Sequence, residues 1–232
     1  MNLNPGDIAR MIDLSCVRTA SSRADVEEMV RAAIKYRFGH VSVLQSFIPL
    51  TKQLLNSHPE VHLVGNVSFP SGSDSTTIKI NQAKELAVAG CDEIDMVMNI
   101  GKLRSGELAE VESDIRSVIA TVDPIPVKVI IEIMLLTAAE TAAACAICLQ
   151  SGASYIKTGT GWADRGTTVQ DVQLIQSLVG DRIKIKASGG IRTLDTLLEM
   201  YAAGACRFGV KLKAGIKIVD EAMAHGTPLV VP

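Results

Sequence analysis

Residues 153–161 read Ala-Ser-Tyr-Ile-Lys-Thr-Gly-Thr-Gly, a short run of strand-forming residues followed by a lysine and a glycine-rich segment. This order predicts a strand that ends near Lys157 and a loop that follows it. An ammonium group at such a place is partly removed from water, which lowers its pKa because burial disfavours the charged form. Lysine is more commonly a surface residue, so the interpretation of Lys157 depends on a second lysine-bearing segment, Arg182–Ile191.

The same strand-to-loop pattern recurs along the chain and alternates with helical patterns. Predicted strands lie at Met11–Leu14, His40–Leu44, His62–Val67, Glu93–Met98, Val127–Ile133, Tyr155–Thr158, Ile183–Ala187 and Cys206–Gly209. Predicted helices lie at Ala24–Arg37, Thr51–Asn56, Ser75–Ala89, Leu108–Thr121, Ala138–Gln150, Val169–Leu178, Leu194–Ala202 and Ile216–Ala224. Eight βα units without an internal linker predict one domain, residues 1–232, with the (β/α)8 TIM-barrel fold of the α/β class. The alternative is a doubly wound open sheet, which would need an edge and a switch point.

The composition argues against several other classes of protein. The 232 residues are 47% hydrophobic and carry a formal net charge of −2, which gives no support for a nucleic-acid-binding or membrane-binding surface. No apolar run reaches the roughly 18 residues of a membrane span, and the polar start does not resemble a signal peptide. An odd count of five cysteines predicts reduced thiols and a cytoplasmic location. Cys145 and Cys148 form a CxxC pattern within an Ala-rich helix, which favours small core-facing residues over a redox pair.

Charged residues occupy faces of the predicted strands that a purely structural barrel fills with apolar side chains. The outer face of a barrel strand packs on helices, so these charges are expected to point inward, toward the end of the barrel where active sites form. Buried charge is costly unless it is paired, which favours a functional network over a structural one. The charged positions are Glu93 and Asp95, Lys128 and Glu132, Lys157, and Lys184 and Lys186.

The lysines at positions 157 and 186 fall at the tops of neighbouring strands, which lie about 4.8 Å apart in a sheet. Two ammonium groups at this separation cannot both stay charged at low cost, so one pKa should fall. A neutral lysine amine attacks carbonyl carbon and forms an iminium, which can then serve as an electron sink for carbon–carbon bond cleavage. Asp95 is a candidate proton shuttle. The four histidines lack metal-ligand spacing, so no metal site is predicted.

These residues and their surroundings resemble the deoxyribose-phosphate aldolase family of class I aldolases, from about Met11 to Gly209. The similar blocks are Phe47-Ile48-Pro49, Phe69-Pro70 with Gly72, Asp92–Val97, Lys128–Glu132, Tyr155–Thr158 with Thr160-Gly161, and Lys186–Thr193. The resemblance implies that Lys157 forms the Schiff base, that Lys186 lowers its pKa, and that Asp95 belongs to a proton relay. It also implies a barrel without cofactor that cleaves 2-deoxy-D-ribose 5-phosphate reversibly to acetaldehyde and D-glyceraldehyde 3-phosphate.

The chain departs from the family pattern where the substrate phosphate is expected. Trp162 stands where a lysine that contacts phosphate is usual, and Lys211 falls in a segment that usually carries a serine pair. Either Lys211 replaces the lost cation from another direction, or the substrate is not the usual sugar phosphate. Trp162 either walls the substrate pocket or anchors its loop against a helix. The predicted substrate-binding and phosphate-binding residues are Gly189, Gly190, Arg192, Gly209, Lys211 and Trp162.

Three hypotheses for the function follow. The first is a class I aldolase acting on 2-deoxyribose 5-phosphate. The second is an aldolase of the same mechanism that acts on a different sugar phosphate, an unphosphorylated aldol or an acidic aldol. The third is a barrel that only binds a phosphorylated or acidic metabolite, although a pure binder has no need of two mutually repelling lysines. In each case the partner is a small molecule, and a homo-oligomer is left open.

Overall fold

The polypeptide closes a parallel sheet on itself. In this computed structural model, which describes residues 2–225, 229 and 230, the strands between residues 12 and 211 pair in chain order and the last pairs with the first. The strands are β1 (Asn2–Leu3), β2 (Ile12–Cys16), β3 (His40–Val43), β4 (His62–Val67), β5 (Glu93–Val97), β6 (Val127–Ile130), β7 (Tyr155–Lys157), β8 (Lys184–Ser188), β9 (Ala205–Lys211) and β10 (Leu229–Val230). Strands β2 to β9 form the barrel, and β1 pairs with β10 in a separate antiparallel ribbon.

The helices are α1 (Pro5–Arg10), α2 (Arg23–Tyr36), α3 (Ile48–Leu54), α4 (Thr76–Val88), α5 (Ile100–Arg104), α6 (Leu108–Val122), α7 (Ala138–Ser151), α8 (Val169–Val179), α9 (Leu194–Ala202) and α10 (Leu212–His225). Helices α2 to α9 lie between consecutive barrel strands, whereas α1 precedes β2 and α10 follows β9. The predicted single-domain TIM barrel is therefore confirmed. The open-sheet alternative is wrong because β9 pairs with β2, with Gly209 opposite Asp13.

The boundaries of some elements differ from the sequence-based expectation. The strand predicted to run to Ile133 ends at Ile130, because Glu132 adopts a left-handed conformation with φ of 47° and Ile133–Leu135 forms a 3₁₀ turn. The short helices α1 and α5 were not predicted. A Pro in the first turn opens α1 and α3, a position at which its missing N–H is tolerated.

Helix α7 illustrates how local sequence sets an element. Its N-terminus is a capping box, in which the Thr137 hydroxyl accepts from the Glu140 backbone N–H and the Glu140 carboxylate accepts from the Thr137 backbone N–H. Its C-cap is Gly152 in the left-handed conformation, with φ of 79°. Cys145 and Cys148 are buried on this helix, which confirms that they face the core.

The space between strands and helices is an apolar core, whereas the interior of the barrel is charged. Side chains such as Leu14, Ile94 and Ile156 are fully buried within the apolar core. The expectation that Lys184 adds charge to the barrel interior is wrong, because Lys184 opens β8 and is exposed with its Nζ 5.4 Å from the Tyr155 ring centroid. Among the described residues, no helix combines the length and apolarity that a membrane crossing needs.

Candidate active site

Asp95 lies at the centre of a buried cluster of charged side chains inside the barrel. The side chain is fully buried on β5. Its Oδ1 accepts a hydrogen bond from Lys128 Nζ at 2.8 Å, and its Oδ2 accepts from Lys157 Nζ at 2.6 Å and from Lys186 Nζ at 2.9 Å. The three lysines come from the next three strands, β6, β7 and β8. One carboxylate therefore binds three ammonium groups.

The strand register explains why these side chains converge. Asp95 lies opposite Lys128 across β5 and β6, and Lys157 lies opposite Lys186 across β7 and β8. Residues opposite one another in a sheet project to the same face, so all four point into the barrel. The structure thus brings together Lys157, Lys186 and Asp95, and their two lysine nitrogens share a single carboxylate oxygen.

Lys157 differs from its neighbours in its affinity for a proton. Burial, followed by repulsion from Lys186 and Lys128, lowers the pKa of Lys157 to about 8, against the attraction of Asp95. Burial of the amine thus lowers the pKa of Lys157 more than repulsion by Lys186 does. The sequence had suggested this repulsion as the main cause of the lowered pKa. Burial of Lys128 is outweighed by Asp95, Asp13 and Glu93, which raise the pKa of Lys128. Lys157 is therefore the amine that becomes neutral near physiological pH.

The carboxylates of the cluster stay ionised. Burial alone would raise the pKa of Asp95, but the ammonium groups of Lys128, Lys157 and Lys186 outweigh it and hold that pKa well below its usual value. Asp13 on β2 is also buried, and its pKa is lowered, chiefly by Lys186, against the effect of burial. An ionised Asp95 serves as an acceptor that holds the two lysines, and not as a proton donor.

A second layer of charges lies beneath the first. Asp13 accepts from Lys186 Nζ through Oδ2 and from Arg207 Nη1 through Oδ1, the latter at 3.2 Å. Glu93 forms ion pairs with Lys128 Nζ at 2.6 Å and with Arg207 Nη1 at 3.6 Å. His40 lies 3.3 Å from Asp13 and 3.4 Å from Glu93. This layer links β2, β3, β5, β6, β8 and β9 across the barrel.

Two connected cavities lie above the cluster. A small cavity of about 20 Å³, roughly the size of one water molecule, reaches Lys157, Lys186 and Asp13. A cleft of about 870 Å³ opens above it and shares Ser15, Thr160, Ser188 and Gly209 with the small cavity. The Lys157 amine thus lies at the bottom of a cleft that is large enough for a small-molecule ligand. The predicted substrate-binding residues that line the cleft are Gly189, Gly190, Arg192, Gly209 and Lys211.

The loop after Lys157 is held by a buried carboxylate. Glu132 accepts hydrogen bonds from the Thr160 backbone N–H at 3.1 Å and from the Thr160 hydroxyl at 2.6 Å. At Gly189, where φ is 101°, an added Cβ would lie 3.4 Å from the Cα of Gly161, so this turn passes close to the lysine loop. The strand end, the loop and the glycine turn form one wall of the cleft.

Trp162 lies outside the residues that line the two cavities. It is 36% exposed, its ring meets Phe69 edge-on at 6.3 Å between centroids, and the Arg18 guanidinium lies 4.9 Å from its ring centroid. Arg18 also donates to the Gly161 carbonyl at 2.6 Å. Phe69 lines the small cavity, so Trp162 supports a residue of the cavity wall, and a guanidinium stands near the position where the family usually has a lysine.

Sequence reasoning missed the roles of two cations. Lys128 was noted as a charge on an inward face, but its bond to Asp95 depends on the pairing of β5 with β6. Arg207 was not singled out, although its position two residues before Gly209 on one face of a strand was a usable signal. Within the described part of the chain, no group of three or more His, Cys, Asp or Glu side chains has the arrangement of a metal site.

Proteins with similar sequences and structures include aldolases. A family model described as DeoC/LacD family aldolase matches residues 9–224. A deoxyribose-phosphate aldolase from Sinorhizobium medicae is 40% identical over 223 residues, which cover 96% of this chain and 90% of the relative. The structure of a candidate deoxyribose-phosphate aldolase from Coccidioides immitis superposes with a TM-score of 0.91 at 32% identity, covering 96% of this chain and 88% of the other.

A further structure, described as "QR15, an Aldolase", has a TM-score of 0.89 at 33% identity and covers 94% of this chain and 97% of its own. The matched segment contains both layers of the charged cluster. These similarities favour an enzyme over a barrel that only binds a metabolite. The chain belongs to the DeoC/LacD family of aldolases, and it is a lyase of carbon–carbon bonds.

Proposed function

We propose that this protein is a class I aldolase that cleaves 2-deoxy-D-ribose 5-phosphate reversibly to acetaldehyde and D-glyceraldehyde 3-phosphate through a Schiff base on Lys157. The observation that carries the proposal is the buried Lys157 amine, whose pKa is lowered to about 8 and which reaches a cavity at the bottom of the cleft. The substrate is inferred from the names of the relatives. The nucleophile is inferred from the burial and position of Lys157.

The proposed reaction begins when the neutral Lys157 amine attacks the C1 aldehyde of the open-chain sugar. Loss of water from the carbinolamine gives an iminium, which withdraws electrons from the C2–C3 bond. Removal of the proton from the C3 hydroxyl breaks this bond, releases the C3 fragment as an aldehyde and leaves an enamine. Protonation of the enamine at C2, followed by addition of water to the iminium, releases acetaldehyde and restores the amine.

Two residues are proposed to move or hold protons during these steps. Lys186 Nζ and Lys157 Nζ both donate hydrogen bonds to Asp95 Oδ2, so the two nitrogens lie side by side. Lys186 can therefore exchange a proton with the substrate next to the iminium. Asp95 remains ionised, and it holds both lysine nitrogens in place by accepting their hydrogen bonds. Because the small cavity has the volume of about one water molecule, solvent access to the reactive carbon is restricted.

The phosphate is proposed to bind in the upper cleft. The turn through Gly189 and Gly190 precedes helix α9, and backbone N–H groups before a helix favour an anion. Arg192 and Lys211 line the same cleft, and neither has a carboxylate partner among the described residues. Lys211 ends β9, opposite Ser15 on β2, and both residues line the cleft.

A second candidate function keeps the mechanism and changes the substrate. Trp162 replaces a lysine that the family uses for phosphate, and its ring contacts Phe69 of the inner cavity. A less charged or acidic aldol would suit this arrangement. Lys157 would then still form the Schiff base, and only the group bound at the cleft would differ.

All five cysteines are free thiols, and we propose a reducing cytoplasm as the location of the protein. The formation of a homo-oligomer stays a prediction.

The test combines chemical trapping with a substrate panel. Borohydride in the presence of acetaldehyde should leave a reduced adduct on the peptide that contains Lys157 in the wild type. Lys157→Ala should lose the adduct and lower kcat by a factor on the order of 10⁴ or more, while the exposed Lys184→Ala should keep both. An unlabelled Lys157 in the wild type would refute the mechanism. Faster turnover of deoxyribose or of an acidic aldol than of 2-deoxyribose 5-phosphate would favour the second candidate.

A further inference from the structure

We infer that Arg207, which lies in the layer beneath the reactive lysine and does not line either cavity, is a positioning residue that sets the charge balance under which Lys157 gives up its proton. The inference rests on the proposed function, because a neutral Lys157 matters only if this amine is the nucleophile. It adds a residue that touches neither substrate nor the reacting atoms.

The contacts of Arg207 connect it to the catalytic layer through two carboxylates. Its Nη1 lies 3.2 Å from Asp13 Oδ1 and 3.6 Å from Glu93 Oε2. Asp13 also accepts from Lys186, and Glu93 also pairs with Lys128. Arg207 therefore competes with Lys186 for Asp13 and with Lys128 for Glu93.

The remaining neighbours of Arg207 hold it in place. Its Nη2 lies 3.3 Å from the Tyr155 hydroxyl, and its guanidinium carbon lies 5.6 Å from the Tyr155 ring centroid. Nη1 also lies within 2.7 Å of the His40 ring nitrogens. Tyr155 precedes Lys157 by two residues, so Arg207 is fixed one layer below the reactive amine.

Counting the charges of this cluster explains which amine becomes neutral. Among the described residues, four cationic side chains, Lys128, Lys157, Lys186 and Arg207, meet three carboxylates, Asp13, Glu93 and Asp95. One positive charge is therefore in excess. A guanidinium does not lose its proton in proteins, so the excess must be relieved at a lysine.

The distribution of ion pairs selects Lys157 as that lysine. Within the part of the chain that the structure describes, Lys128, Lys186 and Arg207 each pair with two carboxylates of the cluster. Lys157 pairs with Asp95, and it shares this carboxylate with the other two lysines. Loss of the proton from Lys157 breaks the fewest ion pairs, and it makes the number of positive charges equal to the number of carboxylates.

Removal of the Arg207 charge should reverse this balance. With three cations and three carboxylates, each ammonium group is needed, and the more negative surroundings favour the charged form of Lys157. At an effective dielectric constant near 20, one charge a few contacts away shifts a pKa by about one unit. Arg207→Met should therefore raise the pKa of Lys157 by about one unit, and Glu93→Gln should lower it.

Other titratable groups face Lys157 and Arg207, and one of the variants takes them into account. Lys157 faces Asp95 from β5, Lys128 from β6 and Lys186 from β8. Arg207 faces Asp13 from β2, His40 from β3, Glu93 from β5 and Tyr155 from β7, and Lys184 lies on the Tyr155 ring. Arg207→Met is also made together with His40→Asn, because the His40 ring lies against Arg207 Nη1 and close to Asp13 and Glu93.

The experiment titrates Lys157 directly. Trace acetylation with acetic anhydride, followed by peptide mass analysis, gives the reactivity of Lys157 between about pH 6.5 and 10.5, and its midpoint gives the pKa. The inference expects a midpoint about one unit higher in Arg207→Met, a lower midpoint in Glu93→Gln, and a midpoint near that of the wild type in Arg207→Lys. The acid side of the kcat/KM profile should move with the midpoint. Arg116→Met, which removes an exposed arginine on α6, should move neither.

Several results would overturn the inference. An unchanged midpoint in Arg207→Met, with or without His40→Asn, shows that the guanidinium does not set the proton affinity of Lys157. Shifts of the same sign in Arg207→Met and Glu93→Gln point to structural damage rather than to charge. If Arg207→Met does not fold, a lower midpoint in Glu93→Gln supports the inference and an unchanged one refutes it. Acetylation needs no Schiff base, so failure of borohydride trapping refutes the proposed function and leaves this measurement valid.

Discussion

Lys157 destabilises the folded protein at neutral pH. Its pKa in the folded state, about 8, lies below the 10.5 of an unfolded lysine, so the folded state binds the proton less tightly than the unfolded state does. The penalty is fully present below about pH 8 and disappears as the pH rises toward 10.5. The shift corresponds to about 3 kcal/mol. The proposed nucleophile therefore lowers the stability of the fold.

Replacement of this lysine by an apolar side chain of similar length should stabilise the fold. Lys157→Met is expected to raise the free energy of unfolding by about 2 to 3 kcal/mol at pH 7 and by far less at pH 10. Urea unfolding at the two pH values measures both quantities, with the exposed Lys184→Met as the control. A stability gain that is equal at both pH values would show that packing, and not the proton, is responsible.

At the scale of single residues, the sequence predicted which side chains meet but not that burial is the largest cause of the lowered pKa of Lys157. Charges on inward strand faces placed Lys157, Lys186 and Asp95 together, and the structure joins both lysines to one Asp95 oxygen. The depth of burial of Lys157 could not be predicted, because it depends on how loops from other strands cover the barrel. The same holds for Arg207, whose partner Asp13 is 194 residues away in the chain.

At the scale of elements, a second buried ion pair joins α4 and α6 outside the barrel. Lys79 on α4 is fully buried, and its Nζ donates to Asp114 Oδ2 on α6 at 2.6 Å and to the Val97 carbonyl at the end of β5 at 3.2 Å. Asp114 Oδ1 has no hydrogen-bond partner among the described residues. The two helices and the strand that carries Asp95 are thus held by one ammonium group.

Removal of one member of this pair should be far worse than removal of both. Lys79→Met leaves an uncompensated buried carboxylate and should lower the free energy of unfolding by about 3 to 5 kcal/mol. The double variant Lys79→Met with Asp114→Leu should recover most of that loss, because neither charge remains buried. Chemical denaturation of the wild type, of Lys79→Met, of Asp114→Leu and of the double variant gives the coupling energy. The surface variant Lys102→Met, which removes an exposed partner of Glu110, should change stability by less than about 1 kcal/mol.

Elements whose ends carry local signals were predicted well, and elements set by tertiary contacts were not. The Thr137 capping box and the left-handed Gly152 fix the two ends of α7, and the predicted helix Ala138–Gln150 differs from the observed one by one residue. The end of β6 was misplaced because Glu132 leaves the strand in a left-handed conformation. Its carboxylate holds Thr160 on another loop, and such a contact leaves no trace in local periodicity.

At the scale of the whole molecule, the repeat of eight strand–helix units was enough to predict a closed barrel, because no linker or sheet edge interrupts it. Closure itself creates the charged interior, since β9 pairs with β2 and brings Arg207 to Asp13. The buried carboxylates therefore connect strands from opposite ends of the chain, and their ionisation should affect the stability of the barrel as a unit.

The acid stability of the barrel follows from these carboxylates. Burial would raise the pKa of Glu93, but His40 and Lys128 outweigh it and lower the pKa to about 2, and the pKa values of Asp13 and Asp95 are lowered as well. A carboxylate with a lowered folded-state pKa contributes stability above its unfolded pKa, near 4, and loses it as the pH falls toward the folded value. Each such group adds a slope of about 1.4 kcal/mol per pH unit below pH 4.

The free energy of unfolding should consequently fall by up to about 4 kcal/mol per pH unit between roughly pH 4 and pH 2.5, from these three groups together. Urea unfolding at closely spaced pH values measures this slope. Glu93→Gln should reduce this slope by about a third, because one of the three carboxylates no longer titrates. The loss of the Glu93 ion pairs changes the free energy of unfolding at pH 7, which is a separate quantity from the slope. A slope that Glu93→Gln leaves unchanged would mean that Glu93 keeps an ordinary pKa in the folded barrel, and that the charged interior does not bind its strands together in the way that the ion pairs imply.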